Sequence, residues 1–67
     1  MARKEWHCTC YAELAEIISD EVLDGIRHDT IGYGAGWSTE VVYSQEDATE
    51  IERRCAAHGL QCDVSAW

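Results

Sequence analysis

The sequence predicts an α+β domain in which two helices pack on one face of a small antiparallel sheet. Three observations carry this expectation. Apolar residues recur at helical spacing over residues 12–27 and again between Ser44 and Gly59. Apolar and polar residues alternate near both ends of the chain, and WSTEVVY at residues 37–43 is rich in β-branched and aromatic side chains. The 67 residues are material for a single compact domain, residues 1–67. A chain of this size buries only about 60% of its unfolded surface, so modest stability is expected.

In chain order, residues 5–10 read as a strand, with Trp6, Cys8 and Cys10 alternating against His7, Thr9 and Tyr11. Residues 12–27, AELAEIISDEVLDGIR, are the longest periodic segment and predict a helix. Leu14, Ala15, Ile18, Val22 and Ile26 form its apolar stripe, Ile17 and Leu23 widen it, and Arg27 and His28 suit the negative pole at its end. Residues 29–36, DTIGYGAG, carry glycines at 32, 34 and 36, which exclude a helix and read as a short, weak strand passing into a turn. If that strand is too glycine-rich to pair, the sheet has three strands. Residues 37–43 are the strongest strand signal in the chain.

The second helix is marked at both ends. Ser44 suits an N-cap with Asp47 three residues on, and Gly59 suits a C′ position. Ala48, Ile51, Cys55 and Ala56 would be its buried stripe. Residues 60–67 then alternate Leu60, Cys62, Val64 and Ala66 against Gln61, Asp63, Ser65 and Trp67, a final strand. The order β-α-β-β-α-β matches the split βαβ arrangement of ferredoxin-like folds, which places both helices on the same face.

Charge narrows the function. Asp and Glu number 13 against 5 Lys and Arg, a formal charge of −8. Such a field repels nucleic acid and anionic membranes and attracts basic protein surfaces, with association that salt weakens. The basic start, MARKEWHC, has no apolar segment of signal-peptide length behind it, so the expected location is the cytoplasm. In that compartment Cys8, Cys10, Cys55 and Cys62 are expected as reduced thiols.

The negative charge is concentrated on the helices. Glu13, Glu16, Asp20 and Asp24 are spaced three, four and four, which stacks them in one row roughly 4.5 to 6 Å apart along a helix axis. Like charges at that spacing cost roughly 0.2 to 0.5 kcal/mol per pair, so the row does not serve the helix itself. Glu21 flanks it, and Glu46, Asp47 and Glu50 continue the acidic surface on the second helix, while Arg53 and Arg54 partly neutralise its far end. Carboxylates in a row offer a sparser copy of the phosphates of a nucleic acid strand, spaced about 3.4 Å apart along the duplex axis. The bland alternative is a solvated helix face.

The remaining chemistry-bearing residues point to no catalysis. His7, His28 and His58 lack a partner at i+4 and a nucleophile, GYGAG lacks the Lys-Ser/Thr pair of a phosphate loop, and no paired carboxylates imply a cleft. Neither enzymatic activity nor a cofactor is expected. Tyr11 and Trp67 fall on the sheet face away from the helices, where they could anchor a partner or close the core edge. All four cysteines fall in phase with buried positions; buried thiols, a disulfide and a soft-metal site are the three readings, and the C-x-C and C-x6-C spacings are not those of zinc ribbons or fingers.

Two resemblances follow from these residues. Cys8-Thr9-Cys10, ending a first strand before a helix in a βαββαβ order, resembles the place where heavy-metal-associated copper-binding domains carry two thiolates. Those domains use C-x-x-C in an exposed loop; here the spacing is one residue shorter and the preceding Met is absent. The resemblance implies, as the alternative function, a soft-metal (copper or zinc) carrier using Cys8 and Cys10. The overall design, a tiny and strongly acidic domain with two acid-faced helices, resembles phage-encoded anti-CRISPR proteins of the DNA-mimic type. That likeness implies a monomeric inhibitor in the host cytoplasm that occupies the basic DNA-binding groove of a CRISPR effector, a type I Cascade complex. Glu13, Glu16, Asp20, Glu21, Asp24, Glu46, Asp47 and Glu50 would meet the Lys and Arg side chains of that groove.

Overall fold

The structure, a computed structural model, describes residues 5–11 and 21–66. Among them the chain forms strands β1 (Trp6–Tyr11), β2 (His28–Gly34) and β3 (Trp37–Val42), helix α1 (Gln45–Ala57) and strand β4 (Gln61–Ala66). The four strands make one antiparallel sheet in the order β2-β3-β1-β4. The fold is thus α+β, with one helix among the described residues. β3 and β4 run parallel with β1 between them, so α1 is the crossover that joins them; β1 and β2 are likewise parallel with β3 between them.

The glycine-rich second strand pairs along its length with β3, so the sheet has four strands and not three. Trp37 explains why glycine is needed there. A side chain at Gly32 would come within 2.9 Å of the Trp37 ring, and one at Gly34 would overlap the indole outright. The indole therefore lies across bare backbone of its neighbour strand, a cross-strand aromatic cover that supplies the packing the glycines lack. Between Thr30 and Gly32 the register shifts by a bulge, and the extra residue, Ile31, stands exposed.

Helix α1 is fixed at both ends by its own sequence. Ser44 has extended backbone, and its Oγ accepts from the Asp47 N–H at 3.1 Å, satisfying one orphan donor of the first turn. At the other end the Leu60 N–H donates to the Cys55 carbonyl at 2.8 Å and the Gly59 N–H to that of Ala56 at 3.0 Å, with Gly59 at φ +71°. That is a Schellman ending, which turns the chain sharply from α1 into β4. Ala48, Ile51 and Cys55 face the core as the periodicity predicts. Ala56 does not: it is exposed, one position round the helix from the buried Cys55. Ala66 is exposed as well, at the end of an edge strand.

Most of the segment predicted as the first helix, up to Asp20, lies outside the described residues, as do Leu14, Ala15, Ile17 and Ile18 of its stripe. From Glu21 the backbone is helical for two residues and then bends into a turn over residues 23–25. Gly25 takes φ +76°, a conformation that ends a helix, so Arg27 stands beyond the helical segment and does not cap it. Arg27 instead lies over the Tyr43 ring, 5.1 Å from its centroid. Val22, Leu23 and Ile26 remain core residues, packed with Val42, Ile51 and Cys55. Complete burial of a side chain such as Ile51 contributes about 1.5–3 kcal/mol.

Candidate functional site

Two groups of chemistry-bearing side chains flank α1. On its sheet side, β1, α1 and β4 each supply a thiol to one point. Cys10 and Cys62 are directly opposite each other in the β1–β4 ladder, and the Schellman turn brings Cys55 down onto them. The Cys10 and Cys55 sulfurs are 3.0 Å apart, and Cys10 donates to the Cys62 sulfur at 3.5 Å. The three Sγ atoms lie within 4.8 Å of one another. Cys10 and Cys55 are fully buried, and Cys62 is half-buried, so the cluster opens to solvent through β4. All four cysteines are free thiols.

Hydrogen bonding with Cys10, then with Cys62, and a contribution from His58 hold the Cys55 thiol well below its ordinary range against the opposing effect of burial. Its hydrogen bond to Cys55 pushes the Cys10 thiol up, and hydrogen bonds within the trio push Cys62 up as well, burial adding in both cases. Cys8 stands apart, opposite Glu40 and Val64 in the ladders on either side. Burial, then the nearby Cys55, Glu52 and Glu40, push its thiol up to about 11. Sequence phase places all four cysteines inward, and they are inward; the grouping joins Cys10 to Cys55 and Cys62 and leaves out its neighbour in the C-x-C pair.

The second group is acidic. Arg54 reaches across from α1 and donates to the backbone carbonyls of Val22 at 3.1 Å and Asp24 at 2.7 Å. Near the end of the same helix, His58 Nε2 is 3.1 Å from a Glu21 carboxylate oxygen. Glu21 and Asp24, both exposed, are therefore held beside the C-terminal half of α1, while Glu46 and Asp47 occupy its first turn. Asp24, Glu46 and Asp47 carry no ion pair among the described residues. Glu50 differs: Arg53 and Arg54 both donate to it, and their hydrogen bonds, Arg53's first, hold its carboxyl down to about 2. Its charge is largely spent within the molecule. Glu13, Glu16 and Asp20 lie outside the described residues.

Two residues escaped the sequence pattern. Arg54, read there as a neutraliser of the helix end, is also the clamp on the 22–24 segment; no periodicity signals a side chain bonding to distant backbone. Glu40 is buried at 2% exposure in the middle of the sheet, its carboxylate accepting from Thr30 Oγ1 at 2.6 Å and from Ser38 Oγ. The alternation in STEVV does place Ser38, Glu40 and Val42 on one face, and the phase of Val42 marks that face as inward. Compared with protein-family models, curated proteins and solved structures, the chain matches none.

Proposed function

We propose that the protein is an acidic inhibitor that acts as a DNA mimic, docking its carboxylates on the basic DNA-binding groove of a nucleic-acid-binding complex and blocking target DNA. The partner to which the resemblance points is a type I CRISPR effector, so the protein would be a phage anti-CRISPR. The observation that carries this is the clamp of Arg54 and His58 on residues 21–24, which sets Glu21 and Asp24 beside a helix whose first turn bears Glu46 and Asp47. At 1.5 Å per residue, α1 places Arg54, which holds residues 22 and 24, roughly 12 Å from Glu46, so the two acidic groups are within reach of one continuous cationic groove. Because Glu50 is occupied by Arg53 and Arg54, we assign the function to Asp24, Glu46 and Asp47, which carry no ion pair among the described residues, to Glu21, and to Glu13, Glu16 and Asp20 of the same acidic stretch of sequence. In this reading the strand order β2-β3-β1-β4 belongs to a ferredoxin-like βαββαβ fold, with its first helix in the β1–β2 crossover.

The test is displacement of a labelled target duplex from a purified Cascade complex. Half-displacement should need at least about tenfold more of an Asp24→Lys/Glu46→Lys double variant, a ratio equivalent to about 1.4 kcal/mol. Glu50→Lys should matter less. Raising salt should weaken the wild-type inhibitor steeply. Displacement that ignores both salt and charge reversal, or no displacement at low salt, removes the proposal.

A further inference from the structure

We infer that Cys10, Cys55 and Cys62 form a three-sulfur site for a soft, thiophilic metal ion, with Cu(I) preferred over Zn(II). The inference is independent of the acidic surface. It rests first on convergence: a strand near the start of the chain and the consecutive helix and strand at its end each direct a sulfur to one point, with all three Sγ atoms within 4.8 Å of one another. Metal–sulfur bonds of about 2.3 Å radiating in a plane put the sulfurs roughly 4 Å apart. The Cys10–Cys55 and Cys10–Cys62 separations of 3.0 and 3.5 Å need to widen by less than the breadth of one atom to accept an ion. Rotation of the half-buried Cys62 can provide the second, while the first requires the buried Cys10 and Cys55 side chains to shift within the core.

Ligand type and number choose the ion. Thiolates select Cu(I), Zn(II) and iron–sulfur clusters among the common metals. Structural zinc is almost always held by four protein ligands in a tetrahedron. Here no fourth His, Cys, Asp or Glu joins the trio among the described residues, which leaves the planar coordination that Cu(I) accepts and Zn(II) would have to complete with water. Binding displaces thiol protons to solvent, so affinity should rise with pH. No electron changes hands. Cys8, although it completes a C-x-C pair in sequence, is not part of the site.

The experiment uses the full chain, reduced and metal-free, titrated without oxygen with Cu(I) and separately with Zn(II), each against a competing chelator. One equivalent of Cu(I) should bind, with a thiolate-to-copper band in the ultraviolet and a first shell of three sulfurs by X-ray absorption. Loss of a ligand exceeds the 10- to 100-fold typical of outer-shell partners, so Cys55→Ala and Cys62→Ala should each weaken binding by more than about 100-fold. Cys8→Ala should leave it unchanged. Failure to retain copper against the chelator overturns the site. So does retention by Cys55→Ala and Cys62→Ala with loss in Cys8→Ala, which would assign the metal to the C-x-C pair. The X-ray absorption arm needs no variant: a two-sulfur shell in the wild-type protein is itself a refutation, whether or not the substituted chains fold.

Discussion

Beneath α1, strands β1 and β4 meet the helix through Cys10, Cys62, Cys55 and Ile51, three thiols and one aliphatic side chain. In the other half of the sheet, β2 and β3 meet through one indole laid over two glycines. Ser38 and Thr30 there hold the buried Glu40 carboxylate. In the first half, position is dictated by backbone: the ladder sets Cys10 against Cys62, and the Schellman turn delivers Cys55. In the second, it is dictated by shape, since only bare backbone accommodates the ring. The two halves should therefore fail in different ways, the first through cavities and the second through overlap.

The largest effect should come from emptying the first half. Ile51 is wholly buried, and Ile51→Ala should cost about 2–5 kcal/mol. That approaches the whole stability of a chain this short. Urea denaturation followed by far-ultraviolet circular dichroism measures it; a loss below about 1 kcal/mol would show that the site collapses around the gap, contrary to a backbone-fixed core. In the second half Gly34→Ala forces a methyl into the space of the Trp37 ring, and overpacking of this kind costs typically about 1–3 kcal/mol. The decisive measurement is a cycle with Trp37→Ala. If the indole is the obstacle, Gly34→Ala should cost much less in the Trp37→Ala background, whereas simple additivity would dissolve the contrast between the halves.

The same contrast explains what could be read from the sequence. Elements set by local chemistry were legible: Ser44 and Gly59 delimit α1, the alternation through β1 and β4 places the cysteines inward, and WSTEVV forms a strand. Residues 29–36 read as a weak strand because intrinsic propensity counts the glycines as losses, while the compensation for β2 sits on another strand, in Trp37. The helix end at Arg27 is an overrun for the reverse reason: apolar spacing continues through Ile26, whereas the backbone turns over residues 23–25, with Gly25 at positive φ. The thiol trio was half legible. Phase gives four inward sulfurs, but which three converge depends on the Cys10–Cys62 register, which no local signal encodes.

Glu50 links the thiol half to the acidic flank, and it yields the smallest of these effects. Arg54 donates to Glu50 at 2.8 Å while its other nitrogen holds the carbonyls of Val22 and Asp24, so the carboxylate keeps the clamp aimed. The pKa of this carboxyl falls from an ordinary 4.5 to about 2 on folding. A carboxyl depressed by folding contributes stability that is full above its unfolded value and disappears as pH falls through the folded one. Wild-type protein should therefore hold an advantage in thermal midpoint over Glu50→Gln at pH 7 and pH 5, and that advantage should shrink between about pH 4 and pH 2. At this surface position it should be small. An advantage that stays constant down to pH 2 would mean that Glu50 acts through packing, and the acidic flank would then owe its placement to Arg54 and the two carbonyls alone.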